Sequence, residues 1–462
     1  MKYIDEARIW DLLKTGRRAG IEDIAGILRK SRALERLTLS EAAALLRAED
    51  PESLNLIFEA ARCVKNAVYG SRVVLFTPLY ISNFCSNGCV YCAFQANNTG
   101  IERRQLSEKE ILEETQWLLS RGHKRILMVA GEKAPAGTST IEYYTQSIRA
   151  IYSAKVGANN IRRVNVNVAP LSTAEFRELK RAGIGTYQLF QETYHDATYR
   201  QVHPYGSKSD PDERLDAIDR AFLAGIDDVG IGALYGLYDY RFETLALLMH
   251  IGHLENKHRV GPHTISVPRI EPAGVAFTEQ VPHRVSDGEF KKLVAVLRLA
   301  VPYTGIILST RETPAMRNEL FTLGVSQVSA ESCTSPGAHT PGGNNGNAGT
   351  QFTLNDHRSL DEVIDALMAR DLIPSFCTAC YRTHRTGEAF MNLARPGTIQ
   401  GKCRLNALVT LREYLDDFAS SAVKKKGYEL INRVRETLDE EDKKRLSVFF
   451  EDIAKGARDE YV

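Results

Sequence analysis

The chain has 462 residues, 43% apolar and 25% charged, a composition that belongs to globular proteins and excludes disordered, collagenous and fibrous classes. Its 59 Lys and Arg against 58 Asp and Glu leave a formal charge of +1, so neither nucleic acid nor a membrane is expected as a partner. The length suits two or three domains, and a (β/α) barrel alone takes about 250 residues.

The amino-terminal run MKYIDEARIWDLLKTG mixes charge into an amphipathic pattern and lacks the apolar core and small-residue cleavage site of a signal peptide. No uncharged apolar run approaches the roughly 18 residues needed to cross a bilayer, so a cytoplasmic setting is expected. Residues 1–70 read as short amphipathic helices, with apolar positions at helical spacing in IWDLL, IAGIL, AAALL and LNLIFEAA. From Val73 the texture changes to short apolar runs, each followed by helical periodicity: VVLF, RILMVA, VNVNVA, YQLF, DDVGIG, TISVP, GIILS and VSQVSA. These are eight strand candidates. Ser107/Glu110, Ser172/Glu175, Ser286/Glu289 and Ser359/Glu362 fit the Ser-x-x-Glu capping box that opens a helix. Strand alternating with helix predicts parallel strands with right-handed crossovers, as a closed barrel or a doubly wound sheet; eight units favour a (β/α)8 TIM-type barrel over residues 71–370.

Residues 334–350, TSPGAHTPGGNNGNAGT, cannot hold a regular element and are expected to form a mobile loop beside the barrel mouth. Residues 371–462 read as a separate, mainly helical C-terminal domain, and Lys424 to Lys426 as a solvated helix face. No internal repeat is visible.

Eight cysteines are too few for a disulfide scaffold, and six of them fall into two clusters. Cys85, Cys89 and Cys92 form C-x-x-x-C-x-x-C directly after the first strand. Three thiolates on one loop can face a common centre, and no fourth zinc ligand lies within that loop. Packed apolar thiols and a zinc knuckle are the competing readings. Cys377, Cys380 and Cys403 make a second triad, for which a zinc site completed by His384 is an alternative to an iron-sulfur cluster. Cys63 reads as a packed helical thiol, and Cys333, bordering the loop, as a thiol without a role.

The first spacing, with Tyr91 before the third cysteine, resembles the signature of radical S-adenosylmethionine (SAM) enzymes. In that family three cysteines bind a 4Fe-4S cluster and SAM chelates the open iron. The two triads together, with CTACYR and RTGEAFM in the second, closely resemble the HydG-like maturases of FeFe hydrogenase, which are tyrosine lyases related to the ThiH-type enzymes of thiamine synthesis. The resemblance implies two 4Fe-4S clusters, the auxiliary one with an additional labile iron, an auxiliary cluster domain at 371–462, and L-tyrosine as substrate. It also implies an electron donor such as flavodoxin or ferredoxin, and other hydrogenase maturation proteins as partners. The implied chemistry is SAM cleavage to a deoxyadenosyl radical and breakage of the tyrosine Cα–Cβ bond to p-cresol and dehydroglycine. The fragment then yields carbon monoxide and cyanide at the extra iron. A thiamine-pathway 2-iminoacetate synthase and a non-catalytic iron-sulfur carrier are the alternatives.

Site residues follow on the same footing. Gly131 and Glu132 stand after the second strand, where the resemblance places contacts to the SAM amine, with Ala130 a departure from Gly-Gly-Glu. At the ends of the third and fourth strands, Asn165, Asn167, Gln191 and Glu192 are polar where a barrel presents its active face, and Glu192 is a candidate for SAM. Arg311, after the seventh strand, can clamp the tyrosine carboxylate with a planar fork; Ser329, after the eighth, is a weaker candidate, and a structural ion pair of Arg311 with Glu312 or Glu319 competes. His263 begins the sixth strand, which by barrel logic assigns it to packing, whereas the resemblance makes it a ligand of the extra iron.

Overall fold

The computed structural model describes residues 1–15, 19–133, 138–341 and 349–462. The eight strands form in chain order: β1 (Arg72–Ser82), β2 (Arg125–Ala130), β3 (Arg163–Asn167), β4 (Tyr187–Glu192), β5 (Val229–Ala233), β6 (Thr264–Ser266), β7 (Gly305–Leu308) and β8 (Gln327–Ser329). Neighbours pair in parallel, and β8 returns to β1 with Val74, Leu75 and Phe76 opposite Gln327, Val328 and Ser329. That closure makes the sheet a barrel and excludes the doubly wound alternative.

Side chains alternate along a strand, so each β-strand has an inner and an outer row. In β1 the outer row, Val73, Leu75, Leu79 and Ile81, is fully buried under helices. Because the inner row is covered too, the strand reads in sequence as one apolar run rather than as an alternation. Each of the four Ser-x-x-Glu boxes closes in both directions, the serine hydroxyl accepting the glutamate amide and the glutamate carboxylate accepting the serine amide. Each cap contributes about 1 kcal/mol and fixes where its helix leaves the barrel rim.

The helix Pro51–Tyr69 packs against the barrel helix Asp287–Ala300, and one continuous apolar core runs from Ile4 to Ile453. A ninth strand, β9 (Ile373–Ser375), adds to the lower end of β1, with Arg72 opposite Ile373 and Val74 opposite Ser375, on the edge that β2 takes from Thr77 onward. It delivers the chain to the N-terminal end of the barrel just before Cys377. The helix Ile399–Asp417, which bears Cys403, packs on β9.

Two expectations are corrected. Cys63 is exposed, because the helix Pro51–Tyr69 turns its buried face at Ala60, Ala61, Val64 and Val68 instead. Of the expected mobile loop, residues 342–348 lie outside the described residues, while Thr334, Ser335 and His339 are buried. The His339 and Thr340 amides both donate to the Glu114 carboxylate, at 3.0 and 2.9 Å. Among the described residues no helix is long and apolar enough to cross a membrane.

Candidate active site and second thiol centre

β1 runs directly into the loop that carries Cys85, Cys89 and Cys92, and all three line a cavity of about 200 Å³ at the C-terminal mouth of the barrel. The loop is held from outside by the segment after β4. Val90 and Gly88 donate their amides to the carbonyls of Val202 and Tyr205, each at 3.1 Å. The Tyr91 hydroxyl meets His203 Nε2 at 2.8 Å, and His203 Nδ1 faces the Tyr199 carbonyl at 2.9 Å. A carbonyl only accepts, so Nδ1 carries the proton and Tyr91 donates to Nε2.

Burial pushes the Cys89 thiol up to about 12 and the Cys92 thiol up to about 11. Such thiols give up protons only to something that replaces the charge, as iron does on cluster loading. Among the described residues no three His, Cys, Asp or Glu side chains close on one point as a single metal ion requires. A cubane spreads its thiolates over separate irons, so three thiols on one loop fit a cluster with one open corner.

Around the triad stand two buried ion pairs, Glu132 with Arg214 at 2.9 Å and Glu192 with Lys208 at 2.7 Å. Asn87, between the first two cysteines, donates to the second oxygen of Glu132 at 2.8 Å. Burial opposes the charge on Glu132, but Arg214 and Lys208 outweigh it and hold the carboxyl below its ordinary range. Gly131 lets the backbone pass Phe84: a Cβ there would lie 2.2 Å from the Phe84 carbonyl oxygen. Nothing in the spacing of Lys208 and Arg214 marks them, since both reach the cavity from the segment beyond β4.

Arg311 and Ser329 line the far side of the same cavity. The Arg311 guanidinium lies 3.3 Å from the Phe352 ring centroid, while Glu312 is taken by Arg269 and Glu319 by Lys291, so neither competing ion pair forms. The Ser329 hydroxyl is buried without a hydrogen-bond partner, a donor that a bound molecule would satisfy. Glu271, which the sequence did not nominate, also lines the cavity, its carboxyl pushed up by burial.

Asn165 and Gln191 are not brought to the cavity lining. Gln191 alternates with Phe190 and Glu192 and so faces outward, donating to the Pro211 carbonyl at 3.0 Å. Asn165 shares a face with Asn167, which does line the cavity, but lies one layer deeper and accepts the Thr186 amide at 3.0 Å.

Cys377, Cys380 and Cys403 line a second, smaller cavity of about 40 Å³ together with His263, Arg72 and Arg125. It opens at the opposite, N-terminal end of the barrel, which is why a histidine before β6 reaches it. The His263 Nδ1 lies 3.2 Å from the Asp228 carboxylate, its ring stacks on Phe390 with centroids 4.2 Å apart, and burial holds it below its ordinary imidazole range. Its neutral ring suits a metal ligand. His384 is exposed and does not line the cavity. The Cys380 thiol is pushed up to about 12 by burial. The Cys333 thiol is likewise pushed up to about 12 by burial.

Single inner-row steps separate the two cavities. On β8, Gln327 lines the second and Ser329 the first; on β2 the same holds for Arg125 and Leu127. The linings therefore meet in adjacent layers of the barrel, while the first triad follows the end of β1 at Ser82 and the second cavity reaches its start at Arg72.

The Radical SAM superfamily model matches residues 79–249, and the Biotin and Thiamin Synthesis associated domain model matches residues 266–373. The 2-iminoacetate synthase of Escherichia coli (strain K12) is 32% identical over 342 residues, 73% of this chain and 86% of its own length. A crystal structure of HydG, described as a maturase of the FeFe-hydrogenase, superposes with a TM-score of 0.95 at 44% identity, covering 100% of both chains. HydG from Carboxydothermus hydrogenoformans superposes with a TM-score of 0.83 at 41% identity over 96% of this chain and 97% of its own. Radical SAM enzymes hold SAM on a 4Fe-4S cluster, and the first triad supplies the donor set for one. With the signature loop, the closed barrel and these likenesses together, the chain belongs to the radical SAM superfamily, among the lyases that include 2-iminoacetate synthase and the FeFe-hydrogenase maturase HydG.

Proposed function

We propose that this enzyme cleaves the Cα–Cβ bond of L-tyrosine to p-cresol and dehydroglycine in the first cavity, and that the fragment becomes carbon monoxide and cyanide at the second, for assembly of the FeFe-hydrogenase active site. The observation that carries the reading is the pair of thiol triads lining two cavities at opposite ends of one barrel. The likeness to HydG over the full length of both chains favours it over a thiamine-pathway 2-iminoacetate synthase, which is matched over 73% of this chain. A cluster carrier without a substrate needs neither Arg311 nor the unpartnered Ser329 hydroxyl beside the first triad.

Cys85, Cys89 and Cys92 would hold the first cluster, and Cys377, Cys380, Cys403 and His263 the auxiliary centre with its extra iron. When bound, cluster and SAM supply the deoxyadenosyl radical that takes a hydrogen atom from tyrosine. The chain's own residues orient the partners. Glu132, pinned by Arg214 and Asn87, presents a carboxylate to the amine of SAM, and Glu192 with Lys208 offers a second charged pair to its polar groups. Arg311 fixes the tyrosine carboxylate through two charge-assisted hydrogen bonds, each contributing about 1.5–3 kcal/mol, and Ser329 adds a donor. Flavodoxin or ferredoxin would supply the electron, and other maturation proteins would receive the product.

Anaerobic reconstitution with SAM, reductant and tyrosine tests the proposal. p-Cresol together with infrared bands of iron-bound carbonyl and cyanide supports it. p-Cresol with accumulated glyoxylate and no such bands supports the thiamine reading, and neither deoxyadenosine nor p-cresol supports the carrier.

A further inference from the structure

Residues 349–355 cross the barrel mouth as a strap joining the first triad to Arg311. At one end the Ala93 amide, next to Cys92, donates to the Gln351 carbonyl at 3.3 Å, and the Asn83 amide group donates to the Gly349 carbonyl at 3.4 Å. At the other end the Thr353 amide donates to the Pro272 carbonyl at 2.7 Å, and Asn355 Nδ2 donates to the Arg311 carbonyl at 2.6 Å. Between them the Gln351 Nε2 lies 3.6 Å from the Cys92 sulfur, and Phe352 lies under the Arg311 guanidinium.

The orientation of the Gln351 amide follows from its neighbours. The Tyr80 hydroxyl lies 2.8 Å from Gln351 Oε1. Flipping the amide would set its oxygen against a thiolate, acceptor against acceptor, so the N–H faces the sulfur and Tyr80 donates to the carbonyl. Hydrogen bonds to cluster sulfurs withdraw charge from the thiolate and favour the reduced, more negative cluster. Asn87 Nδ2, at 3.7 Å from the Cys85 sulfur, is a second donor of this kind, already committed to Glu132.

We propose that Gln351 is a positioning residue whose N–H raises the reduction potential of a cluster on the first triad, and that the strap transmits substrate occupancy at Arg311 to that hydrogen bond. The first half rests on family membership; the second rests on the reading of Arg311 as the tyrosine anchor. The test is an EPR-monitored redox titration of the reconstituted full chain, following the signal that SAM alters. Gln351→Leu should move the midpoint to more negative potential at unchanged iron content. Tyr80→Phe, which keeps the amide but frees its carbonyl, should move it less in the same direction. An unmoved midpoint in both variants at full iron content overturns the first half. Tyrosine should shift the wild-type midpoint, and Phe352→Ala should abolish that response. If wild type forms p-cresol yet its midpoint ignores tyrosine, the link through the strap is overturned. If it forms no p-cresol, the functional reading fails instead, while the Gln351 result stands on its own.

Discussion

Each of the two cavities is lined by three cysteines, in different surroundings. At the first triad, Lys208, Arg214 and Arg311 face Glu132, Glu192 and Glu271, so positive and negative charge balance around about 200 Å³. At the second, Arg72 and Arg125 line about 40 Å³, with Asp228 behind His263 as the nearby carboxylate. A zwitterionic guest carrying an amine and a carboxylate fits the first field, and a small anionic or neutral guest the second. Volume and charge thus distinguish two otherwise similar groups of thiols.

Removing one triad at a time separates the two cavities most strongly. Cys85→Ala should abolish SAM cleavage and every later product. Replacing Cys377, Cys380 and Cys403 together by alanine should leave p-cresol formation in place and eliminate iron-bound carbonyl and cyanide, read by chromatography and infrared spectroscopy. Loss of p-cresol in that triple variant would merge the two centres.

Next in size is the substrate anchor. Arg311→Gln removes the two charge-assisted hydrogen bonds, and kcat/KM for tyrosine should fall on the order of a hundredfold or more while deoxyadenosine is still released. Arg311→Lys keeps the charge without the fork and should also be impaired. A wild-type rate of p-cresol formation in the lysine variant would place the anchor elsewhere.

His263→Ala tests the smaller cavity alone. It should lower the iron retained per chain and the yield of iron-bound diatomics by about tenfold, within the range for lost metal-site interactions, without changing the tyrosine KM. An unchanged iron count with an unchanged infrared spectrum would return His263 to packing.

A last effect, on stability and not on product formation, belongs to a group outside both sites. Glu243 is fully buried, accepts the Tyr194 amide at 2.8 Å and a hydrogen bond from Thr193, and burial pushes its carboxyl up to about 8 from an ordinary 4.5. Between those values the folded chain keeps a proton that the unfolded chain releases, so stability falls as pH rises through the window and levels off above about 8. Glu243→Gln should flatten that slope, a difference of a few kcal/mol measured by urea unfolding at pH 5 and pH 8.5. Equal slopes in variant and wild type would show that Glu243 carries no pH dependence.

Much of the fold was legible because it is written in local patterns. Apolar runs marked all eight barrel strands, and spacing of three residues marked the four capping boxes. β9 escaped because Pro374 stands in its middle, and a proline inside a run argues against a strand. Gln191 and Glu192 are both polar at one strand end, but neighbours on a strand face opposite ways, so alternation by itself dismisses one of them.

The first cysteine triad and the alternation of strand with helix were legible from residue spacing, since three thiols on one loop and caps on one turn need no distant partner, whereas Cys403 joins Cys377 and Cys380 from a separate helix. The surroundings of the triads were not legible. Glu132 meets Arg214 across 82 residues and Cys92 meets Gln351 across 259, and no periodicity records such a pair. Only closure of the barrel decided that the second triad sits at its other end, because β9 must dock on the lower half of β1 before Cys377 can meet His263. That docking is a tertiary event driven by burial of the whole sheet, which local sequence does not encode.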